Sequence, residues 1–417
     1  MKDRLFTIKI ETALILLTFV VLISCKKVSS ESFYAEDVPM AEMPDLTEEF
    51  TFGSDKGLVN ISTQANGNNF GTNNSALYKN ISSQNFAYCH PDVEYFPEGF
   101  NGYKYWMVFT PYFGSVGTAQ DAKLYENPSV VVSNDGLNWV EPKGLKNPIQ
   151  GALSAHESIT ENKNERKQGF WSDVDWFRED GKFFLYYRGS MVSAAGLGSR
   201  GAKSLNNKSK LKENAQRTIV RQTSSDGVHW TPLEVVYTSN PPATPKSDHL
   251  LSPTFIPVDN IYISYEVELH TGGGNFKGDE QSYVVRRQSK DGLNFSVFDK
   301  SQVINFVKKP WKNVNQAYSP WHIQASYVDG YYFLVLAIGD VKKYTSDLLY
   351  LAFSKDGLNY NVVPKPIVES NAYRSAIFKK NVTSDYIDFG AILGFKNGAF
   401  SYREFRLEKL ILDKACK

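Results

Sequence analysis

Ser133-Asn134-Asp135-Gly136-Leu137-Asn138-Trp139 decides how this 417-residue chain is read, because it recurs three times. Ser224-Ser225-Asp226-Gly227-Val228-His229-Trp230, Ser289-Lys290-Asp291-Gly292-Leu293-Asn294-Phe295 and Ser354-Lys355-Asp356-Gly357-Leu358-Asn359-Tyr360 are the same S-x-D-G-x-x-aromatic unit. Each copy follows an apolar alternating run, such as 129–132 or 349–353, and leads into another, such as 233–237. Asp-Gly between two such runs signals a hairpin. Gly adopts the positive φ of a tight turn without strain, while the Ser and Asp side chains bond the turn backbone. Internal repetition is therefore the first property of the chain.

A second pattern precedes each turn. His90-Pro91-Asp92-Val93 stands before the aromatic run 103–109, and Ser172-Asp173-Val174-Asp175 before 182–187. Leu251-Ser252-Pro253-Thr254 stands before 261–265, and Ser319-Pro320-Trp321-His322 before 331–337. A fifth opening, Tyr373-Arg374-Ser375-Ala376, leads to 386–395 with no Asp-Gly turn after it. Five units of four strands, the fifth degenerate, predict an all-β, five-bladed β-propeller. Its blades fall at about 88–145, 168–236, 250–300, 318–365 and 372–415. A closed ring leaves few free strand edges, and a monomer is expected.

At the N-terminus, Lys2, Arg4 and Lys9 precede an apolar run, 13–23, too short to span a bilayer as a helix. It ends Leu22-Ile23-Ser24-Cys25, which resembles a bacterial lipoprotein signal. That resemblance implies a signal over 1–25, lipidation of Cys25 and a polar tether over 26–49. The propeller at 50–417 would then be held on a bacterial membrane, facing the periplasm or the exterior. An uncleaved anchor or ordinary signal peptide is the alternative. With 46 basic and 45 acidic residues the chain has no basic stripe for nucleic acid. No spacing of the six His and three Cys resembles a zinc site, since the His are scattered, and none is expected. Cys89 and Cys416 are either a disulfide at the ring closure or two free thiols.

Strand direction separates two faces. If each innermost strand starts at the upper face, the repeated turns lie on the lower one, and the long connections lie on the upper one. These are 111–125, 146–170, 189–216, 238–249 and 269–281. The same geometry gathers His90, Asp92, Asp173, Asp175, His322 and Arg374 at the upper mouth. Arg188, Glu266, Glu268 and His270 join them from second strands, and Glu126 from the third strand of blade one. Trp171, Trp176, Tyr187, Trp321 and Tyr373 are nearby aromatics able to stack on sugar rings. Paired carboxylates with separated pKa values are what cleavage of a glycosidic bond requires.

The openings, aromatic second strands and S-x-D-G-x-x-W turns resemble the five-bladed propeller glycosidases, which include arabinanases, β-xylosidases, fructan hydrolases and mannoside phosphorylases. The resemblance covers about residues 88–400. It implies an exported carbohydrate hydrolase, acting by inversion, with Asp92 as base and Asp173 or Asp175 tuning and orienting. In the arabinanase and xylosidase members a base Asp opens blade one in a D-P-x-V setting, a second Asp opens blade two, and a Glu-Gly-Pro-His opening of blade three supplies the acid. Here His90 occupies the first position, and Leu251-Ser252-Pro253-Thr254 offers no acid, so Glu266 or Glu268 would have to donate. His322 fits a position that some arabinanases place near an axial calcium, which makes Ca2+ on the axis possible. His90, Glu126, Trp171, Arg188, Trp321, His322 and Arg374 would contact substrate. Arg188 and Arg374 would either grip an anionic group or pair with Asp173 and Asp175. A phosphorylase and a non-catalytic glycan-binding lipoprotein are the alternatives.

Overall fold

The computed structural model describes residues 50–62, 64–65, 68–69, 86–113, 126–145, 147–149, 170–190, 205–206, 210, 217–239, 249–269, 280–295, 302–343 and 345–416. The expected lipoprotein signal and tether, His270 and most of the long upper-face connections lie outside these residues.

The described chain is a five-bladed β-propeller of antiparallel blades. Blade 1 runs Phe86–Phe100, Tyr103–Phe113 and Ser129–Ser133, with Asn138–Trp139 at its outer edge. Blade 2 runs Phe170–Glu179, Lys182–Ser190, Arg217–Ser224 and Leu233–Thr238. Blade 3 runs Leu251–Val258, Ile261–Leu269, Ser282–Ser289 and Gln302–Val303. Blade 4 runs Ser319–Val328, Tyr331–Gly339, Leu348–Ser354 and Asn359–Val362. Blade 5 runs Ala376–Val382, Tyr386–Gly394 and Phe400–Glu408.

The fifth blade is completed by Asp55–Leu58, which pairs antiparallel with Phe400–Glu408. The expectation that 372–415 would hold that blade's strands is corrected here. The two ends of the propeller share one sheet, and closure removes the edges that an open ring would expose. Cys89 and Cys416 are both free thiols, so strand pairing alone makes this closure among the described residues.

The core divides by seam between blades. One apolar cluster joins blades 1 and 2 through Trp106, Trp171, Trp176 and Phe183. Others join blades 2 and 3 through Tyr186 and Phe255, and blades 3 and 4 through Tyr265, Trp311 and Tyr350. Phe333 and Phe389 belong to the seam between blades 4 and 5, and Met107, Phe109 and Phe400 to the one between blades 5 and 1. No blade buries both its faces alone, which is why the repeat must be carried round the full ring.

The repeated turn serves these seams as well as its own hairpin. In the first copy Asp135 Oδ1 accepts the Leu137 and Asn138 amides at 2.8 and 2.7 Å, and Ser133 Oγ accepts that of Gly136 at 3.0 Å. The four glycines have φ between 67° and 75°. Each turn glycine faces an aromatic of the preceding blade: Gly136 meets Tyr402, Gly227 Trp106, Gly292 Tyr186 and Gly357 Tyr265. Tyr186 and Tyr265 donate their hydroxyls to the carbonyls of Gly292 and Gly357 at 2.8 and 2.9 Å. Blade 5 has no such turn. Blade 4 is bonded instead to the C-terminal helix Lys409–Ala415, by Asn361 Nδ2 to Ala415 O at 2.8 Å and by Tyr331 to Asp413.

Candidate functional site at the axial mouth

The inner strands of blades 1 to 4 each carry a register shift near the upper end. In three of them a residue there is left-handed without being glycine: His90 at φ 53°, Asp173 at 52° and Ser252 at 47°. Such a backbone costs about 1–3 kcal/mol per residue and persists only where the surroundings hold it, which marks the mouth as a place to look for chemistry. The openings then form two tiers. His90, Asp173, Ser252 and His322 make the upper tier, with Arg374 against it. Asp92, Asp175, Thr254 and Gln324, each two residues further along its strand, make the lower one.

In the upper tier His90 Nε2 lies 3.2 Å from Asp173 Oδ1, and His322 Nδ1 lies 3.9 Å from the same oxygen. Asp173 Oδ2 is committed, accepting Arg188 Nε at 2.6 Å and the Ser252 amide at 3.2 Å. Asp173 Oδ1, His90 Nε2 and both ring nitrogens of His322 have no hydrogen bond among the described residues, although all three side chains are buried. A buried polar atom left unpaired costs about 1–3 kcal/mol, so four on three neighbouring side chains need an explanation. Burial would raise the Asp173 carboxyl, but the Arg188 guanidinium, with Arg374 behind it, holds it well below the usual carboxylate range. Burial pushes His90 down to about 4 and His322 well below its ordinary value, so both imidazoles are neutral at pH 7. Tyr373 and Trp321 pack on the His322 ring, with centroids 4.5 and 5.4 Å away.

The lower tier is fully engaged, and in one repeating way. Asp92 Oδ2 accepts the Trp176 amide of blade 2 at 2.9 Å, and Asp175 Oδ2 the Phe255 amide of blade 3 at 2.7 Å. Thr254 Oγ1 accepts the Ala325 amide of blade 4 at 2.9 Å, and Gln324 Oε1 the Ile377 amide of blade 5 at 3.1 Å. Four equivalent side chains thus tie each inner strand to the next. Asp92 and Asp175 lie within reach of one another's charge, and burial pushes Asp92 up to about 7 and Asp175 well above the carboxylate range. The sequence expectation of Asp92 as base and Asp175 as a substrate-orienting carboxylate is therefore replaced by a fastening role, shared with Thr254 and Gln324.

Glu266 is fully buried, accepting Tyr237 OH at 2.8 Å and paired to Arg287, and burial raises its carboxyl. Glu268 accepts the His249 and Leu250 amides at 2.6 and 3.0 Å and so holds the start of blade 3. Both carboxylates are consumed by structure, which corrects their assignment as proton donor. Trp171 is a core residue at the seam between blades 1 and 2, edge-on to Tyr187 at 5.2 Å, and is no sugar platform. Trp176 and Tyr187 are likewise buried. Arg188 pairs with Asp173. Arg374 Nη2 lies 3.3 Å from Asp175 Oδ1, and Nη1 lies 3.9 Å from Asp173 Oδ1. The two arginines therefore take the pairing alternative. Glu126 is buried at the mouth, close enough for its charge to raise the Cys89 thiol, though less than burial does. Ser252, Thr254 and Gln324 were not singled out from sequence, although their place in the openings matches that of the aspartates.

His90, Asp173 and His322 can offer three donor atoms within 4.8 Å of one another. Two neutral imidazoles and one carboxylate, with the ligating atoms unpaired, fit a first-row transition metal such as zinc or iron. They do not fit the shell of six to eight oxygens that calcium takes, so the possible axial Ca2+ finds no support in this donor set.

The fold and this mouth define a five-bladed propeller with a histidine–aspartate site on its axis, and the likeness to propeller glycosidases holds at the level of fold. No family model matches the chain. Over 332 residues it is 25% identical to the A type blood N-acetyl-α-D-galactosamine deacetylase of Flavonifractor plautii, an alignment covering 70% of this chain and 36% of that protein. The chain thus spans about a third of the length of that relative. A crystal structure of an N-acetylgalactosamine deacetylase from F. plautii, in complex with blood group B trisaccharide, superimposes with a TM-score of 0.54 at 20% identity, covering 78% of this chain and 91% of that one. Zg3597, a family 117 glycoside hydrolase produced by Zobellia galactanivorans, superimposes with a TM-score of 0.43 at 13% identity, covering 78% and 84%.

Proposed function

We propose that the chain is a glycan-directed hydrolase that removes the N-acetyl group of an amino sugar, using a divalent cation held by His90, Asp173 and His322. One observation carries this reading: the donor atoms of these three residues converge without hydrogen bonds among the described residues. The alignment with an amino-sugar deacetylase supplies the bond to be cleaved. The cation, when bound, would supply Lewis-acid polarisation of the acyl oxygen and lower the pKa of water.

The chain's own groups set the stage for that chemistry. Arg188 and the Ser252 amide hold Asp173 Oδ2, which leaves Oδ1 as the donor. The neutral imidazoles present lone pairs without first losing a proton. Tyr373 and Trp321 fix the His322 ring by packing, and Tyr373, half-exposed, offers the sugar a wall. In the net reaction the oxygen of water ends in acetate, the carbon–nitrogen bond breaks, and the sugar nitrogen takes up a proton to leave as the amine.

The test is a panel of N-acetylated glycans, scored separately for released acetate and for new reducing ends, with and without a chelator and phosphate. Chelator-sensitive acetate release is expected. New reducing ends without acetate would instead support cleavage of the glycosidic bond, phosphate dependence a phosphorylase, and binding with neither product a glycan-binding protein. Export and lipid attachment through Cys25 belong to the same proposal, on the strength of Leu22-Ile23-Ser24-Cys25. Mass spectrometry of the mature N-terminus from membranes checks it: an unmodified Cys25 would contradict it.

A further inference from the structure

We propose that Thr110 is a positioning residue that sets the tautomer of His90 and so aims the Nε2 lone pair into the mouth. Thr110 lies on the second strand of blade 1, directly opposite Cys89, and is fully buried. Its Oγ1 is 2.7 Å from His90 Nδ1 and 3.4 Å from the Cys89 carbonyl oxygen. A hydroxyl has one proton and two lone pairs. A carbonyl can only accept, so one assignment alone satisfies both contacts: the Thr110 proton goes to Cys89 O and the Thr110 oxygen accepts from Nδ1. The other ring nitrogen agrees with this direction. A proton on Nε2 would find no acceptor in line among the described residues, since Asp173 Oδ1 is near but forms no hydrogen bond with it.

His90 is held from two sides. Its left-handed backbone, at φ 53°, turns the side chain inward, and Thr110 then fixes the ring about its own axis. His322 has no comparable polar partner among the described residues, and packing alone holds its ring. The two histidines of the site therefore differ in kind, and removing one hydroxyl should disturb His90 alone. The tautomer stands on this geometry, whereas its effect on a bound cation rests on the proposed function above.

The full-length protein, labelled with 15N at histidine, gives the tautomer directly from two-bond proton–nitrogen spectra. Zinc chloride titrated calorimetrically gives the affinity. In the wild type His90 is expected to carry its proton on Nδ1. Thr110→Val keeps the shape and removes the hydroxyl: it should shift His90 toward the Nε2–H form and weaken zinc about 10–100-fold. Thr110→Ser should restore both. A wild-type His90 protonated on Nε2 overturns the proposal without any variant, as does an unchanged tautomer in Thr110→Val. If the tautomer changes as expected while the wild type takes up no zinc, the role of Thr110 stands and the cation reading fails.

Discussion

Asp173 and Asp175 lie two residues apart on one strand, each 1% exposed, and face the same axis from neighbouring tiers. Asp175 spends its oxygens on a backbone amide of the next blade and on Arg374, and it has a Thr and a Gln as counterparts one and two blades round. Asp173 keeps one oxygen unpaired beside two neutral imidazoles whose facing nitrogens are also unpaired. The contrast teaches that carboxylate identity and burial do not mark function in this mouth. What separates the tiers is whether every polar atom has a use in holding the ring together.

The sharpest break of that contrast is His322→Ala. It removes a donor that makes no hydrogen bond, so activity on the productive glycan should fall at least about 1,000-fold, or ~4 kcal/mol in barrier. The melting temperature should stay within a few degrees. A large drop in melting temperature would move His322 into the fastening tier.

The converse substitution acts on the other tier. Asp175→Ala removes a blade-to-blade bond and leaves Arg374 short of a partner, and should cost about 3 kcal/mol of stability in denaturant titration. A change under about 1 kcal/mol would mean the lower tier does not fasten the blades.

The lower-face turns sharpen the idea of fastening by repeated parts. Gly227 and Gly181 both have φ near 75°, but an added Cβ at Gly227 would run into the Trp106 ring, whereas at Gly181 it meets nothing within 4 Å. Gly227→Ala should cost about 2–3 kcal/mol and Gly181→Ala about 1 kcal/mol. Equal costs would show that the turn conformation alone matters and the docking does not.

The smallest effect is on acid stability. The turn amides and side chains around Asp135 outweigh its burial and lower its carboxyl to about 2, and Asp226, Asp291 and Asp356 are lowered for the same reason. A folded pKa below the unfolded value of about 3.9 adds stability above pH 4, and this is lost as pH falls through about 2. The groups are mostly exposed, so each contributes little. Asp135→Asn should show a shallower fall in denaturant midpoint between pH 4 and 2 than the wild type, and parallel curves would contradict the turn geometry.

The ring was legible because its evidence is local. S-x-D-G-x-x-aromatic encodes its own hairpin, and alternation on either side gives strand and face, so blade order follows from spacing. The outer strand of blade 5 was not legible: Asp55–Leu58 has four residues, no apolar alternation, and a partner some 350 positions away. In the mouth, the blade openings led to His90, Asp173 and His322. They did not tell Asp173 from Asp175, because that depends on which amide of the next blade lies within reach. Glu266 and Glu268 misled for a related reason. A buried carboxylate looks the same in sequence whether Tyr237 and Arg287 consume it or leave it free. Thr110 carries no signal of its own, since only strand register brings it to His90.

The most direct test of the division between tiers is the metal content of identically purified wild type, His322→Ala and Asp175→Asn, measured by inductively coupled plasma mass spectrometry. About one equivalent of a transition metal in the wild type and in folded Asp175→Asn, with little in His322→Ala, is the predicted result. A wild type without metal, or equal content in wild type and His322→Ala, would contradict the assignment of the upper tier.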